Sequence, residues 1–367
     1  MTNTKTTKPY YDVLDGLRGI AAITILVFHY TEMIYPDDYV SNPMGHGFLA
    51  VDFFYCLSGF VIGFAYDYRV SSIGIIGFFK NRLIRLHPLV ILGTVVGLIG
   101  FMADPFVNID LFPDWKIIGL ALVGSLLLIP TPFLPYRWGA LFPFNSPSWS
   151  LFFEYLANIL YIFVLSRVNK KVLLIFGVIS AGWLAFASWR SGWMIGGWDI
   201  LTYADALPRV TYSFIAGLLI FRFRLIWKNK FGFWLPLLML LGVFFFPHHD
   251  KDWITESILV IIVFPLIICI GAGATATNFT RKFCLFIGRL SYPLYMTHIT
   301  TVWIYGNYYF KYHPTGLKFI LITSALIVFN LLFAWIAMRF YDEPVRKWLN
   351  GRRKRNKLPE QQLESKP

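Results

Sequence analysis

Long apolar segments alternate with short polar loops along almost the whole chain. Of its 367 residues, 57% are hydrophobic and only 14% are charged. A run of about 20 apolar residues can cross a lipid bilayer as a helix. The pattern therefore predicts an all-α, polytopic membrane protein with about ten transmembrane helices. The predicted membrane-spanning segments cover residues 19–36, 47–66, 86–103, 148–166, 172–188, 207–223, 231–247, 254–273, 290–309 and 317–338.

One further apolar segment, residues 115–134, is predicted not to cross the membrane. Pro130, Pro132 and Pro135 lie in or directly after it, and proline interrupts a helix. Counting it as a crossing would also move every later basic loop to the other side of the membrane. Irregular backbone at this depth is tolerated where it is buried in protein or lines a wet cavity. We expect a re-entrant or interfacial segment.

The charge distribution predicts the orientation of the helices. Lys and Arg total 33 against 20 Asp and Glu, a formal net charge of +13. With ten crossings the basic clusters share one side, as cytoplasmic loops do, so both termini are expected in the cytoplasm. This arrangement explains the basic composition without a nucleic-acid partner. Basic residues cluster at 69–85, 167–171, 222–230, 281–289 and 352–355, and the opposite loops hold Asp37, Asp38, Asp104, Asp110, Asp114, Asp199, Asp205, Asp250 and Asp252.

The sequence indicates one transmembrane domain over residues 1–350, followed by a basic cytoplasmic tail over 351–367. Cys56, Cys269 and Cys284 lie in or beside apolar segments. Their spacing matches neither a disulfide framework nor a metal site, and no metal is expected.

Arg18 and His29 lie on the first predicted span, eleven residues apart. In a helix this spacing places both side chains on one face, about 16 Å apart. An ionisable residue inside a membrane is costly and is by default functional. A histidine near the midplane can act as a general base, although it can also serve only to pack helices.

Asp52 and Glu154 are predicted at a similar depth to His29, each near the outer end of its span. Three ionisable groups on three helices could converge, so either carboxylate could orient the imidazole. The alternative is that a carboxylate only fixes a helix through a buried ion pair.

Arg82 and Arg85 follow an i,i+3 spacing where a basic loop enters the third span, so both guanidinium groups share one helix face. Paired arginines suit bidentate phosphate binding, or alternatively anchor the helix at lipid headgroups. Tyr292, Tyr295 and His298 likewise step along one face of a later helix, where a polar seam between helices is the alternative to a catalytic role.

Together these segments resemble acyltransferase family 3, membrane proteins that O-acylate bacterial surface glycans and some small molecules. The resemblance covers about residues 10–350. The matching segments are "LDGLRGIAA…VFHY" with Arg18 and His29, "VDFFYCLSGFVIG" with Asp52, Arg82 and Arg85, the Trp-Ser-Leu segment that ends at Glu154, "SYPLYMTH" with His298, and "YDEPVRKWL".

The resemblance implies a bacterial plasma-membrane enzyme that moves acetyl from cytoplasmic acetyl-CoA to an outer hydroxyl. It implies His29, Glu154 and Asp52 as catalytic residues and Arg18, Arg82 and Arg85 as CoA-binding residues. Ser148, Trp149, Tyr295 and His298 are candidate substrate-binding residues. Besides membrane lipid, the expected partner is a glycan or small-molecule acceptor.

Many members of the family carry an additional extracytoplasmic domain of the SGNH-hydrolase type, and this sequence is expected to lack one. Transfer would then be direct, or through a separate extracytoplasmic acyl-accepting protein. A secondary transporter is the rival prediction, since it also needs charges at the midplane, but the chain shows no inverted repeat.

Overall fold

The computed structural model describes residues 11–35, 38, 40–107, 114–134, 137–249 and 251–355, with the side chains of 352–355 excepted. Within these ranges the chain is a bundle of α-helices without named strands. The helices are α1 (Asp12–Ile34), α2 (Ala50–Tyr66), α3 (Val70–Met102), α4 (Trp115–Leu127), α5 (Ser148–Leu160), α6 (Lys170–Ser191), α7 (Ala206–Phe223), α8 (Trp234–Phe244), α9 (Asp252–Ile258), α10 (Phe264–Ala272), α11 (Asn278–Thr297), α12 (Ile299–Tyr312), α13 (Gly316–Ile336) and α14 (Glu343–Arg355).

Several of these helices continue into one another. A π-helical turn over Leu259–Val263 joins α9 to α10, and another over Ala337–Asp342 joins α13 to α14. A third, Tyr161–Leu165, extends α5. Helices α11 and α12 meet at His298, whose backbone is itself helical (φ −73°, ψ −31°). The π turns widen the helix locally and change which side chains face the interior.

The prediction of an all-α polytopic membrane protein is confirmed. Eight helical segments of the described chain are long and apolar enough to cross a membrane: Asp12–Ile34, Gly47–Tyr66, Val70–Met102, Ser148–Leu165, Lys170–Ser191, Tyr203–Phe223, Asp252–Ala272 and Gly316–Gly351. Each contains or overlaps one predicted span. The predicted span 290–309 falls on the continuous α11–α12 pair.

The predicted span 231–247 corresponds to α8, whose 11 residues reach about 17 Å. That is short of the roughly 30 Å hydrocarbon core. Ten complete crossings therefore remain a prediction.

The segment 115–134 forms α4 and a compact turn. The 13 residues of α4 reach only about 20 Å, so this helix alone cannot cross the core, in agreement with the prediction. It ends at Leu128, which adopts a left-handed backbone (φ 55°). The following chain folds back, since the Ile129 N–H donates to the Gly124 carbonyl at 2.8 Å.

Glycines allow two helix pairs to pack with their backbones in contact. On α2 and α7, a Cβ added at Gly59 or Gly217 would collide with a backbone carbonyl of the other helix. On α1 and α11, a Cβ at Gly19 or Gly288 would likewise meet the facing helix. Close approach of helices through small residues is typical of membrane proteins. These two tight pairs bring α1, α2 and α11 around the cavity described below.

Some sequence-based predictions fall outside the described residues, namely those on Asp37, Asp110, Pro135, Asp250 and most of the tail, 356–367. Helix α14 runs through the proposed boundary at 350/351 to Arg355. The three cysteines are buried and free of disulfides.

Candidate active site

A cavity of about 470 Å³ opens between α1, α2, α3, α5, α11 and the α13–α14 connection. The arginines Arg18, Arg82, Arg85, Arg289 and Arg346 line it, with the acidic residues Glu154, Asp342 and Glu343. The other walls are largely apolar or aromatic. The cavity is therefore large enough for an organic ligand, and its polar surface is dominated by cations.

Arg18 joins α1 to α11 at the mouth of this cavity. Its Nη2 donates to the Gly288 carbonyl at 2.7 Å, and its Nε donates to the Ser291 hydroxyl at 3.0 Å. The same Nη2 lies 2.8 Å from an Asp15 carboxylate oxygen. These contacts fix the guanidinium group while part of it faces the cavity, so Arg18 both orders the helix pair and offers charge to a ligand.

Arg82 and Glu154 form an ion pair on the cavity wall. The Arg82 Nη2 donates to Glu154 Oε1, which also accepts from the Ser58 hydroxyl at 2.7 Å. Only 4% of the Arg82 side chain is exposed, against 21% for Glu154. Helices α2, α3 and α5 are thus joined at one carboxylate, which faces the cavity and holds Arg82 in place.

Arg85 lies one turn along α3 from Arg82 and also lines the cavity. It forms no ion pair with any carboxylate of the described residues, whereas Arg82 and Arg346 each have one. An arginine that is not neutralised inside a cavity is suited to bind an anionic ligand. Arg85 is therefore a strong candidate anion-binding residue of the site.

The far end of the cavity is closed by aromatic side chains. Tyr295 and Phe54 both line it and meet edge to face, with ring centroids 5.7 Å apart. The Ser150 hydroxyl donates to the Pro147 carbonyl, which leaves its oxygen to accept from the Tyr295 hydroxyl at 2.8 Å. Behind this wall lies His298, whose ring centroid is 6.0 Å from that of Tyr295.

His29 and His298 form a stacked pair, with ring centroids 5.5 Å apart and planes 22° apart. The His298 Nδ1 lies 3.1 and 3.0 Å from the carbonyls of Leu294 and Tyr295. Because carbonyls only accept, this nitrogen carries the proton and Nε2 carries the lone pair. The His29 Nδ1 lies 3.1 Å from Glu32 Oε2. Because a carboxylate also accepts, His29 Nδ1 carries the proton, and His29 Nε2 is left free to act as a base.

Asp52 belongs to a different group. Its two carboxylate oxygens accept from Arg209 Nε at 3.1 Å and Arg209 Nη2 at 2.6 Å, and the two side chains are 0% and 2% exposed. Arg209 also donates to the Gly196 carbonyl at 2.6 Å and lies 5.5 Å from the centroid of the Trp149 ring. This arrangement joins α2 to α7 and the loop before it.

The structure thus divides the sequence-predicted residues into three groups. Arg18, Arg82, Arg85, Glu154 and Tyr295 share the cavity, His29 and His298 stack beyond its wall, and Asp52 and Trp149 contact Arg209. Ser148 is fully buried, and its hydroxyl has no hydrogen-bond partner within the described chain.

One expectation is corrected by these contacts. Neither Asp52 nor Glu154 orients His29, because each is held by an arginine, and the carboxylate at His29 is Glu32. Glu32 could have been found from the sequence, since it lies three residues after His29 and therefore on the same helix face. Arg209 could also have been singled out from the sequence, because it is a charged residue within the predicted span 207–223.

Comparison with known proteins gives four findings. Residues 11–339 match the sequence profile of an acyltransferase domain. Protein 2 in the picA locus of Rhizobium radiobacter is 35% identical over 178 residues, which are 46% of this chain and 90% of that protein. The O-acetyltransferase OatA of Staphylococcus aureus is 26% identical over 370 residues, which cover 92% of this chain and 57% of that protein. The chain thus spans a little over half the length of this staphylococcal relative. No solved structure matches the chain.

Proposed function

This chain belongs to the acyltransferase family, and on that premise we propose that it transfers an acetyl group from acetyl-CoA to a hydroxyl group. The helical bundle makes it a multi-pass membrane acyltransferase. The proposed acceptor is a cell-surface or other extracytoplasmic carbohydrate, and the donor enters from the cytoplasm. The name of the staphylococcal relative supports O-acetyl transfer.

The observation that carries this proposal is the arginine-lined cavity. CoA carries phosphate groups, and Arg18, Arg82 and Arg85 face one cavity in which Arg85 has no carboxylate partner among the described residues. Guanidinium groups bind phosphate oxygens through parallel hydrogen bonds. We therefore assign the phosphates to the arginine end and the thioester arm to the interior end.

The spacing along α1 suits such a ligand. Arg18 and His29 are eleven residues apart on one helix, which corresponds to about 16 Å, a length comparable with an extended pantetheine arm. Tyr295 lines the cavity and its ring contacts that of His298, and Phe54 packs edge to face against Tyr295. Both rings would have to adjust when the thioester reaches His29.

In the proposed reaction His29 acts as the general base. Its Nε2 takes the proton from the acceptor hydroxyl as the oxygen attacks the thioester carbonyl, while Glu32 stabilises the resulting imidazolium at Nδ1. The tetrahedral intermediate then expels the CoA sulfur, which receives the proton from His29. The alternative route passes through a transient acetyl-imidazole. The His29 Nε2 would attack the thioester carbonyl, and the C–S bond would break as the sulfur receives the Nδ1 proton of the ring through Glu32. The acceptor hydroxyl would then attack the acetyl-imidazole and return its proton to the imidazole.

Orientation and acceptor form part of the same proposal. The basic clusters support placing both termini in the cytoplasm of a bacterial plasma membrane. The acceptor would then approach from the opposite side, directly or through a separate extracytoplasmic acyl-accepting protein. The resemblance also allows a hydroxylated small molecule as acceptor.

The donor site is tested by measuring CoA affinity of purified protein in nanodiscs. We expect Arg85→Ala to weaken CoA binding about tenfold or more, the loss of one to two charge-assisted hydrogen bonds. Arg167→Ala is the matched control, because Arg167 is an exposed arginine in a basic loop that does not line the cavity. If both variants bind CoA as tightly as the wild type, the arginine-lined cavity is not the donor site.

The chemistry is tested with radiolabelled acetyl-CoA and extracted surface glycan. His29→Ala should lower transfer by about 10²–10⁴-fold with unchanged CoA affinity, and Glu32→Gln should lower kcat less. Transfer by His29→Ala near the wild-type rate would make His298 the next candidate. A mass shift of surface glycan after gene deletion would identify a carbohydrate acceptor; an unchanged glycan would favour a small molecule.

A further inference from the structure

Four potential metal ligands meet at one end of the bundle, apart from the cavity. His46 precedes α2, His248 lies between α8 and α9, and Asp252 and Glu256 lie on α9. One ligand atom from each residue lies within 4.8 Å of the corresponding atoms of the other three. The four residues come from two parts of the sequence about 200 positions apart, and only folding brings them together.

The orientation of His46 points its lone pair into this cluster. Its Nδ1 lies 2.8 Å from the Phe246 carbonyl, which can only accept, so Nδ1 carries the proton and Nε2 is an acceptor. That Nε2 lies 3.7 Å from Glu256 Oε1 and 4.0 Å from Asp252 Oδ1. Three acceptor atoms therefore face one another in the protein interior.

Two of these three acceptors are buried without a hydrogen bond from the described residues. His46 and Glu256 are each 0% exposed, and neither His46 Nε2 nor Glu256 Oε1 has a hydrogen-bond partner within the described chain. Leaving a buried polar group unsatisfied costs about 1–3 kcal/mol, and more for a charged one. A shared proton would not satisfy both atoms, because 3.7 Å is beyond hydrogen-bond distance.

We propose that His46, His248, Asp252 and Glu256 bind one divalent transition-metal ion, with zinc as the ion this donor set favours. Nitrogen and oxygen ligands of tetrahedral zinc lie about 2.0–2.2 Å from the metal, and therefore about 3.3–3.6 Å from one another. The separation of 3.7 Å between His46 Nε2 and Glu256 Oε1 comes close to that value. A bound cation would satisfy both acceptors at once.

The surrounding groups fix the ligands as they do at other metal sites. The Phe246 carbonyl sets the tautomer of His46, the Met194 N–H donates to Glu256 Oε2, and the His249 N–H donates to Asp252 Oδ1. Such outer contacts orient metal ligands. With four protein ligands the site is closed, which is typical of structural rather than catalytic zinc. It would join the loop before α2, the α8–α9 connection and the loop after α6.

This inference differs from the sequence-based expectation that no metal is needed. The three cysteines are not involved in this cluster. The sequence carries part of this signal, since Asp252 and Glu256 are four residues apart on α9, a spacing that a helix places on one face, and His248 lies four residues before Asp252. His46 is the ligand that only the fold supplies.

The test begins with metal analysis of wild-type protein purified in detergent through a tag other than polyhistidine. After exchange into metal-free buffer, mass spectrometry should find about one zinc or similar ion per chain. Chelation should lower the thermal unfolding temperature and added Zn²⁺ should restore it. The proposal would be overturned if the protein binds no stoichiometric metal after incubation with Zn²⁺ and its unfolding temperature is unchanged by the chelator.

Variants then assign the ligands. His46→Gln and Glu256→Gln should lose the bound metal and the stabilisation by Zn²⁺. His249→Gln is the matched control, because this neighbouring histidine is not one of the four ligands, and it should bind metal as the wild type does. If a ligand variant fails to fold, the wild-type chelation experiment still decides. Metal retained in both folded ligand variants would exclude this cluster as the site.

Discussion

The buried pair of Asp52 and Arg209 provides the sharpest test of a structural against a catalytic role. The sequence suggests a catalytic role for Asp52, yet both of its carboxylate oxygens accept hydrogen bonds from Arg209, at 3.1 and 2.6 Å. We predict that Asp52→Asn and Arg209→Met each destabilise the protein strongly, and that the double variant loses much less than the sum of the two.

The magnitude follows from the geometry. Each charge-assisted hydrogen bond contributes about 1.5–3 kcal/mol, and the pair has two. Breaking a buried pair by removing one partner costs about 3–5 kcal/mol, because the other charge stays buried and uncompensated. Both side chains are at most 2% exposed, so water does not replace the lost partner. With about 2–4 °C for each kcal/mol in a large domain, the expected decrease in unfolding temperature is roughly 6–20 °C.

The assay is a double-mutant cycle on detergent-solubilised protein, with thermal unfolding and acetyl transfer measured for all four forms. A coupling free energy of about 2 kcal/mol or more between the two sites is expected. The double variant should not regain the full stability of the wild type, since Arg209→Met also removes the hydrogen bond to the Gly196 carbonyl. If the folded double variant regains stability but transfers no acetyl group, Asp52 takes part in the chemistry and the structural assignment fails.

Three further outcomes are expected. Gly59→Ala should lower the free energy of unfolding by about 1–3 kcal/mol or more, because the added methyl group overpacks against the Phe214 carbonyl. Gly182→Ala is the control and should be neutral or stabilising, because its added methyl group meets no atom within 4 Å. Equal unfolding temperatures of the two variants would contradict the close α2–α7 contact. A cysteine at Lys170 should react with an impermeant maleimide only in permeabilised cells, and labelling of intact cells would reverse the proposed topology. Tyr295→Phe should lower kcat several-fold with unchanged CoA affinity, and altered affinity alone would assign this residue to donor binding.

The sequence predicted the membrane class well because its evidence is local. Hydrophobic length depends on consecutive residues, and each of the eight helical segments of the described chain that are long and apolar enough to cross a membrane overlaps a predicted span. The grouping of Arg82 with Arg85 was also local, since an i,i+3 spacing fixes a shared helix face. The same i,i+3 spacing relates His29 to Glu32, so their contact is also of the local kind that a sequence reveals.

Helix length was harder to predict than helix position. Hydropathy marks where a segment is apolar, but not where its helix stops. Helix α8 ends after 11 residues although the apolar pattern over 231–247 continues, and α11 continues into α12 through His298. Local backbone geometry and packing, rather than composition, decide these ends.

The sequence by itself determined that this chain is a helical membrane protein and which charged residues must be accommodated within the bundle. Burial of a charge requires a partner, but depth along a helix does not specify which partner, because residues at one depth can face any neighbouring helix. Only the tertiary structure decided that Asp52 pairs with Arg209, that Glu154 pairs with Arg82, and that His46 meets the acidic face of α9. The rotation of each helix about its axis sets those pairings, and it is fixed by close packing among many side chains at once.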